Sequence, residues 1–253
     1  MSQYGKLAKV YDYLMSGIDY DEWADYILSI VHKFGAKPKV ILDLACGTGN
    51  SSLSLAKKGY PVIGVDLSPE MLEVARKKAA AENIKVDFFE QDMRQLQLPV
   101  PYGIDMVVAY QDGLNYMLED ADLLKVLERV YQELNSGGLF IFDINSVDKL
   151  PSSGGETTFY DEDRMTLIWE SSYDSQADIW EIILTGFLKR DNGYYEKFQE
   201  THREKYHTRE KVVEYLEKTG YEILAVYNAF TLEEGTNSDK RLYYAARKGG
   251  AVK

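Results

Sequence analysis

The sequence contains a single cysteine, Cys46, and three histidines, His32, His202 and His207. One cysteine excludes a disulfide within the chain and fits a reducing compartment. No histidine stands in a pattern with serine or cysteine that is typical of a nucleophilic triad. We interpret Cys46, which lies in a glycine-rich loop, as a small packing residue. The sequence therefore indicates neither a covalent nucleophile nor a metal site.

Long hydrophobic runs are also missing. No stretch of the chain approaches the ~20 consecutive apolar residues that span a membrane. The first residues contain no apolar run long enough for a signal peptide. We therefore expect a cytoplasmic protein without a membrane partner. The sequence leaves the oligomeric state open between a monomer and a homodimer.

Positive charge is scarce, because 29 Lys and Arg residues face 41 Asp and Glu residues and the net charge is −12. An acidic protein repels phosphate backbones, so we expect no nucleic-acid partner. Basic residues gather at 203–205 and 209–211, but Glu204 and Glu210 stand within these runs. We interpret both runs as mixed, solvated surface.

Tyrosine, by contrast, is abundant, with 20 Tyr against 9 Phe. A ring with a polar tip suits half-exposed strand and interface positions, which we expect for most of them. The alternative for some of them is an aromatic pocket that binds a cation.

The middle of the chain alternates between short apolar runs and helical patterns. Five predicted strands lie at 40–44, 62–66, 86–90, 105–110 and 139–143. Helices are predicted between them, with Ser68 as an N-cap before Pro69 and with Gly137-Gly138 ending the helix that starts near Glu119. Repeated strand–helix–strand units predict an α/β fold with a parallel sheet and helices on both faces.

The pattern changes after Asn145. A Ser- and Gly-rich loop at 151–155 precedes strand-like runs at 164–173, 178–190 and 194–206, which predict a small antiparallel β insert. A helix at 208–219 and strands at 221–230 and 241–246 follow, so we expect a Rossmann-like, mostly parallel sheet of seven strands. Before that sheet, we predict helices at 20–34 and at 5–15.

The strongest functional motif is the glycine loop, Asp43-Leu44-Ala45-Cys46-Gly47-Thr48-Gly49-Asn50, directly after the first strand. Its glycines let the backbone approach a ligand, and the N-terminus of a helix follows. Ser52 stands where a dinucleotide fingerprint has its third glycine, and no Gly-Lys-Ser/Thr ends the loop as in a P-loop. The loop therefore predicts a nucleoside-type ligand without provision for a pyrophosphate.

Two further strands end in polar residues at the same predicted edge. Asp66 ends the second strand about 20 residues beyond the glycines, where a carboxylate accepts hydrogen bonds from ribose hydroxyls. Gln91, Asp92 and Met93 follow the third strand, where a carboxylate can hold an adenine amino group and Met93 can pack on the ring. Ligands of open α/β sheets bind at this edge.

Together these motifs resemble those of the class I S-adenosylmethionine-dependent methyltransferases. Residues 40–50 resemble their motif I, residues 64–68 motif II, residues 91–93 the adenine-binding motif and residues 105–115 motif IV. The resemblance implies S-adenosyl-L-methionine as the cofactor. The cofactor-binding residues that it implies are Tyr11, Asp43, Ala45, Gly47, Thr48, Gly49, Asp66, Leu67, Met71, Gln91, Asp92, Met93 and Tyr110.

The N-terminal tyrosines and the insert are similar to those of a subgroup that acts on small molecules. The resemblance implies a helical lid at 1–37, a cofactor-binding core at 38–150, a substrate-covering insert at 151–207 and a C-terminal completion of the core sheet at 208–253. The implied partner is a small-molecule methyl acceptor. The alternatives are a protein or RNA acceptor, an oxidoreductase with a nucleotide cofactor on a related fold, and a binding protein without catalysis.

The catalytic residues are less well marked, since in-line methyl transfer needs positioning more than a nucleophile. Asp112, Asn115 and Tyr116 follow the fourth strand and are candidates for orienting the acceptor or taking its proton. Asp143 and Asn145 end the fifth strand and are similar candidates. For Asn115, helix capping or loop hydrogen bonding remains an equal alternative. We expect His202, in a predicted insert strand, to face solvent or the core.

Overall fold

The computed structural model describes residues 7–101, 103–145 and 155–249. The helices are α1 (Tyr11–Leu14), α2 (Tyr20–Lys33), α3 (Asn50–Lys57), α4 (Pro69–Ala81), α5 (Asp120–Glu133) and α6 (Arg209–Thr219). The strands are β1 (Ile41–Leu44), β2 (Val62–Asp66), β3 (Val86–Glu90), β4 (Ile104–Ala109), β5 (Leu134–Asn145), β6 (Glu156–Glu162), β7 (Met165–Asp174), β8 (Ile179–Lys189), β9 (Tyr195–Lys205), β10 (Tyr221–Asn228) and β11 (Arg241–Lys248).

The central sheet has seven strands in the order β10-β11-β5-β4-β1-β2-β3. β11 runs antiparallel to both of its neighbours, and the pairs among β1 to β5 are parallel. β1 is buried throughout, as expected for the middle of a covered sheet, and Asp43 is its one charged residue. The predicted Rossmann-like α/β sheet is therefore confirmed.

Helices cover both faces of this sheet. The buried side chains of α5 and α6 pack with those of Leu42, Leu44 and Phe142 on one face. α2 and α3 pack on the other face, and α4 joins α3 there around Phe88. At the start of α4, the Ser68 Oγ accepts a hydrogen bond from the Met71 N–H over 3.2 Å, so the predicted N-cap is confirmed.

One predicted helix end is wrong. Gly137 and Gly138 do not end α5, which stops at Glu133, but lie within β5. The register between β4 and β5 shifts between Ile104 and Met106, and the glycines lie in the extra length of β5 that this shift accommodates. Gly137 has a φ of 78°, which fits an irregularity of this kind better than it fits a regular strand.

The insert is a separate four-stranded antiparallel sheet in the order β6-β7-β8-β9. The expected antiparallel insert is confirmed, and β6 adds one strand to the three predicted from the sequence. Most of the predicted loop at 151–155 lies outside the described residues. The inner face of the insert packs through Leu167, Leu184 and Phe198 against Leu7.

The N-terminal segment is less regular than predicted. Of the helix expected at 5–15, the structure has a 3-10 turn at Leu7–Lys9 and the short helix α1, and residues before Leu7 lie outside the described part. A helix this short is marginal by itself, so its shape depends on what it packs against. Leu7 and Leu14 contact the insert, which places this segment between the two sheets.

Candidate functional site

The glycine loop, defined here as residues 45–50, turns sharply between β1 and α3. Ala45, Gly47 and Gly49 all have positive φ, at 57°, 54° and 78°. A Cβ added to Gly47 would meet no atom within 4 Å, whereas one on Gly49 would come within 2.9 Å of the Ala75 Cβ. Gly47 therefore leaves room for a ligand beside the backbone, and Gly49 is required by packing between α3 and α4.

Asp66, at the end of β2, lies beside this loop. Its carboxylate accepts hydrogen bonds from the Gly47 N–H and the Ser68 N–H, each over 2.8 Å. Burial raises the pKa of the Asp66 carboxyl above its ordinary value. Asp66 therefore fixes the position of Gly47 and presents a buried carboxylate to the space above the loop.

That space is a cavity of about 420 Å³, which we call the first cavity. A volume of this size suits a nucleoside-sized ligand. The predicted cofactor-binding residues that line it are Tyr11, Ala45, Gly47, Thr48, Asp66, Leu67, Met71, Gln91, Asp92, Met93 and Tyr110. Residues from the ends of β1, β2, β3 and β4 thus converge, as the shared carboxyl edge of the sheet predicts.

Two predicted cofactor-binding residues, Asp43 and Gly49, do not line the first cavity. The Asp43 carboxylate is fully buried and accepts hydrogen bonds from the Ser51 and Ser52 hydroxyls over 2.6 and 2.5 Å. Burial raises the pKa of Asp43 to about 6. Asp43 stands beneath the loop and holds the start of α3 to β1, and Gly49 packs against α4.

Asp92 and its neighbours form one end of the first cavity. The Arg94 guanidinium donates hydrogen bonds to both oxygens of the Asp92 carboxylate, and this pairing lowers the pKa of Asp92. Arg94 also bridges to Asp122 of α5 over 3.0 Å. The Gln91 side-chain amide donates to the Gln97 carbonyl and accepts from the Gln97 N–H, so it stabilises the loop that follows β3.

The structure adds residues that the sequence did not single out. Tyr20, Asn50, Arg94 and Gln111 line the first cavity. The hydroxyls of Tyr11 and Tyr20 donate to the Gln111 Oε1 over 3.5 and 3.3 Å. The N-terminal tyrosines were the sequence feature that could have indicated this part of the site. The role of Gln111 follows only from its contacts with these tyrosines.

Asp12 joins the N-terminal segment to the glycine loop. Its Oδ1 accepts hydrogen bonds from the Thr48 hydroxyl over 2.6 Å and from the Asn50 amide over 3.0 Å. Its Oδ2 accepts from the Lys78 ammonium of α4 over 2.8 Å. One carboxylate therefore holds α1 against both helices that start at the sheet edge.

A second cavity of about 460 Å³ adjoins the first. The N-terminal segment, the insert and the residues around β10 and β11 line it, and Tyr11, Gln111 and Tyr116 line both cavities. Its aromatic walls include Trp23, Trp169 and Phe230. Its polar lining includes the ionisable groups Asp112, His202, Glu204 and Arg241, and a few convergent polar groups of this kind fix the orientation of a small ligand.

Asp112, one of the catalytic candidates, lies in the second cavity and is paired with Arg241. The Arg241 guanidinium contacts the Asp112 carboxylate over 2.8 Å and also donates to Asp143. Asp143 is fully buried, and burial raises its pKa to about 6 although the guanidinium opposes the shift. The three side chains tie the loop after β4 to β5 and β11.

Asn115, a second candidate, is buried and lines neither cavity. Its amide donates to the carbonyls of Asn145 and Lys205 over 3.3 and 2.9 Å, and its Oδ1 accepts from the Asn145 N–H over 3.1 Å. Asn115 thus joins the ends of β5 and β9, which matches the loop hydrogen-bonding alternative. Asn145 takes part through its backbone.

Tyr116, the third candidate, meets a histidine. Its hydroxyl lies 3.2 Å from the His202 Nδ1, and the Nε2 of that ring lies 3.7 Å from the Glu200 carboxylate. His202 is 4% exposed and Glu204, two residues on, is 6% exposed; both line the second cavity. Reading residues 203–205 as solvated surface was therefore wrong for Glu204, whose strand turns this side chain inward.

Other chemistry is sparse in the described part of the chain. Cys46 is buried, and burial raises its thiol pKa well above the ordinary value, which fits a packing role. Among residues 7–101, 103–145 and 155–249, no three His, Cys, Asp or Glu side chains group closely enough to hold a metal ion. In the same ranges no helix has both the length and the apolar composition needed to cross a membrane.

Comparison with known proteins agrees with this geometry. Residues 41–138 match a family model described as a methyltransferase domain. The chain is 34% identical over 250 residues, covering 98% of both chains, to “Putative methyltransferase YqeM” of Bacillus subtilis. It superimposes with a TM-score of 0.85 and 32% identity on an S-adenosylmethionine-dependent methyltransferase from Clostridium acetobutylicum, covering 98% of this chain and 99% of that one.

A more distant structure shares the fold. The S-adenosylmethionine-bound amino pentose methyltransferase CalS10 of Micromonospora echinaspora matches with a TM-score of 0.74 at 18% identity, covering 98% of this chain and 99% of that one. The fold is therefore kept at low sequence identity.

Proposed function

Since the chain belongs to the class I S-adenosylmethionine-dependent methyltransferases, we propose that its methyl acceptor is a small molecule bound in the second cavity. The observation that carries this proposal is the shared wall: Tyr11, Gln111 and Tyr116 line both cavities. A donor in the first cavity and an acceptor in the second are then neighbours, as direct transfer requires.

The residues around the first cavity fit the cofactor. Gly47 leaves open space at its Cβ position, and Asp66 offers a buried carboxylate for two ribose hydroxyls. We assign Tyr11, Ala45, Thr48, Leu67 and Met71 to the walls around the methionine part and ribose, Gln91, Asp92 and Met93 to the adenine end, and Tyr110 to the floor. Asp92 already pairs with Arg94, so it would hold the adenine amino group with its remaining acceptor capacity.

When bound, S-adenosylmethionine supplies a methyl group on a positively charged sulfur. The contribution of the protein is to hold the acceptor in line and exclude water, and well-oriented reactants reach effective molarities of about 10⁵–10⁸ M. Tyr11 and Gln111 lie at the boundary where this alignment is decided.

A small acceptor fits the second cavity better than a macromolecule does. The N-terminal segment, the insert and the β10–β11 region enclose it from three sides. We assign the segment up to residue 37 the role of a lid and the insert the role of a substrate cover. A protein or RNA acceptor would have to displace one of them, and the net charge of −12 opposes RNA in addition.

The test combines cofactor binding with turnover. Calorimetry with S-adenosylhomocysteine should give a Kd that rises tenfold or more in Asp66→Ala, because a hydrogen bond to a charged group contributes about 1.5–3 kcal/mol. The control Asp87→Ala, on the exposed side of neighbouring β3, should bind like the wild type. A metabolite panel is then screened for S-adenosylhomocysteine production, with NAD as a cofactor control.

Three results would contradict the proposal. If Asp66→Ala bound S-adenosylhomocysteine with unchanged affinity, the assigned cofactor site would be wrong. If NAD stabilised the folded protein, the oxidoreductase alternative would be favoured. Turnover with protein or RNA but not with metabolites would reject the small acceptor while keeping the family.

A further inference from the structure

Strand β9 breaks the alternation that its place in the insert requires. Its inward positions from residue 198 on are occupied by Phe198, Glu200, His202 and Glu204. In the register of the sheet, Glu200 and His202 pair with Leu184 and Ile182 of β8, whose side chains are apolar. A strand with one covered face normally puts apolar residues there, and departures from such local rules concentrate at functional sites.

The ionisable groups on this face form an ordered chain that ends at the cavity boundary. Glu200 lies 3.7 Å from the Nε2 of His202, and the Nδ1 of His202 lies 3.2 Å from the Tyr116 hydroxyl. Tyr116 lines both cavities. With the ring proton on Nε2, on the side of Glu200, Nδ1 can accept the proton of the hydroxyl, and the carboxylate stabilises the imidazolium that results.

Glu200 is itself held in place. Its Oε1 accepts a hydrogen bond from the Leu7 N–H over 3.1 Å, which links the chain of groups to the N-terminal segment. The side chains of Glu200 and His202 are 9% and 5% exposed, so their interaction is weakly screened. At 3.7 Å the carboxylate lies within ion-pair range of the imidazole, at a separation longer than a hydrogen bond.

The charge balance of the second cavity favours a cation. The carboxylates that line it are the partly exposed Asp112 and the buried Glu204. Asp143 and Glu200 do not line the cavity, but they contact Arg241 and His202, which do. Arg241 is engaged by Asp112 and Asp143 together, and Lys240 stands at the exposed rim. An anionic acceptor would therefore meet carboxylates, whereas a cation gains from them.

The aromatic walls add to this preference. Trp169 and the tyrosines Tyr11 and Tyr116 line the same cavity. The face of such a ring attracts a cation by about 0.5–2 kcal/mol, depending on its exposure to water. The Trp23 ring already has the Arg241 guanidinium 5.2 Å from its centroid, which shows that a cation is accommodated here.

We propose, on the basis of the proposed function, that the acceptor is an amine. Its ammonium form binds beside the Glu204 carboxylate and is deprotonated through the chain Tyr116–His202–Glu200. An ammonium ion has no lone pair, so deprotonation must precede methyl transfer. The Tyr116 hydroxyl takes a proton from the ammonium while passing its own to the His202 Nδ1. The amine lone pair then forms the N–C bond as the C–S bond breaks and its electron pair stays on sulfur. The imidazole afterwards returns the proton to water.

The first experiment fixes the acceptor class. Matched sets of an amine, an alcohol and a carboxylate on one skeleton (benzyl, phenethyl, indolylethyl and hexose) are tested for S-adenosylhomocysteine production. We expect turnover with amine members alone. Turnover with an alcohol or a carboxylate, or no turnover with any amine while S-adenosylhomocysteine still binds, overturns the amine but leaves the proposed cofactor site standing. Loss of S-adenosylhomocysteine binding itself would instead contradict the proposed function.

The second experiment tests the proton path. For an accepted amine, His202→Gln and Tyr116→Phe should lower kcat at pH 7 by about 10²-fold or more, the usual range for a general base. The deficit should shrink as the pH rises towards the pKa of the amine, because solvent then supplies the free amine. The control His32→Gln, at an exposed position of α2, should match the wild type at every pH. A deficit that stays constant with pH overturns the relay.

The third experiment measures binding without turnover. Calorimetry of the amine against the S-adenosylhomocysteine complex should show Glu204→Gln weakening the amine about tenfold while the matched alcohol is unaffected. Glu170→Gln, exposed on β7, serves as the control. Equal weakening of the amine and the alcohol would mean that Glu204 acts on cavity shape, and would overturn the charge argument.

Discussion

Most of the first cavity is built from the ends of four successive units of the core, after β1, β2, β3 and β4, whereas the second is assembled from the N-terminal segment, the insert and the C-terminal strands. The glycine loop and Asp66 are separated by about one strand–helix unit, and the parallel sheet places them side by side. The second cavity brings Tyr11, Tyr116, His202 and Arg241 together from four regions. The first cavity is therefore determined mainly by local rules, and the second by how the N-terminal segment, the insert and the C-terminal strands pack on the core.

This difference has a counterpart in chemistry. The first cavity relies on backbone shape at Gly47 and on one buried carboxylate, Asp66. The second cavity relies on ionisable side chains whose partners come from other elements, such as Arg241 with Asp112. Changes on the donor side should therefore alter mainly binding, while changes on the acceptor side should alter both stability and turnover.

The largest expected effect is on stability, at Arg241. Arg241→Met should lower the free energy of unfolding by about 3–5 kcal/mol, because removing one partner leaves a buried charge on Asp143. The control Arg247→Gln removes a half-exposed ion pair with Glu222 and should cost about 0–1 kcal/mol. Urea unfolding measures both. If Arg241→Met and Arg247→Gln lost similar free energies of unfolding, the contacts of Arg241 with Asp112 and Asp143 would not stabilise this part of the fold.

A smaller effect concerns the junction between the insert and the core. His207 is buried with its Nε2 3.0 Å from the Met117 carbonyl, and burial lowers its pKa to about 4. The folded chain then binds fewer protons at this group than the unfolded chain, so stability falls as the pH drops from 6.5 towards 4. Between pH 7 and 5 the wild type should lose about 2 kcal/mol more than His207→Gln.

Urea unfolding of both proteins at the two pH values tests this prediction. His32→Gln, at an exposed site, provides the comparison and should behave like the wild type. If His207→Gln lost as much stability as the wild type, the junction would not be the acid-sensitive point.

The smallest effect is on the donor side, at Gly47. Gly47→Ala should cost about 1–2 kcal/mol of stability, because its φ is 54°. The added methyl group projects into open space at the first cavity, so the Kd for S-adenosylhomocysteine should rise about tenfold. Gly59→Ala, with a φ of 91° and equally open space but outside both cavities, carries similar strain and should bind normally. Equal Kd values would show that the loop does not approach the ligand there.

The sequence was informative where function follows from local pattern. Strand ends, the glycine loop and the N-cap at Ser68 were all predictable, since each depends on residues within one turn or strand. Asp43 and Gly49 have the same local signature as their neighbours, yet neither lines the first cavity. Asp43 lies beneath the loop and Gly49 packs against α4, and both placements depend on tertiary packing.

The acceptor side could not be predicted in the same way. The strand-like run at 194–206 predicted a strand, but which face of β9 meets the N-terminal segment depends on how the insert docks. His202 and Glu204 therefore looked like core or surface residues, and Gln111, although it lies within the motif at 105–115, was not singled out as a site residue. Likewise Gly137-Gly138 has the composition of a helix stop but accommodates an irregularity in β5, which depends on its partner strand.

The contacts of Asp12 have a kinetic consequence. Its carboxylate holds α1 to Thr48, Asn50 and Lys78, and the adjacent Tyr11 lines both cavities. If these contacts and those of Leu7 with the insert were released together, both cavities would be uncovered at once. Entry of the substrates and departure of the products would then share one opening, and its frequency would set an upper limit on turnover.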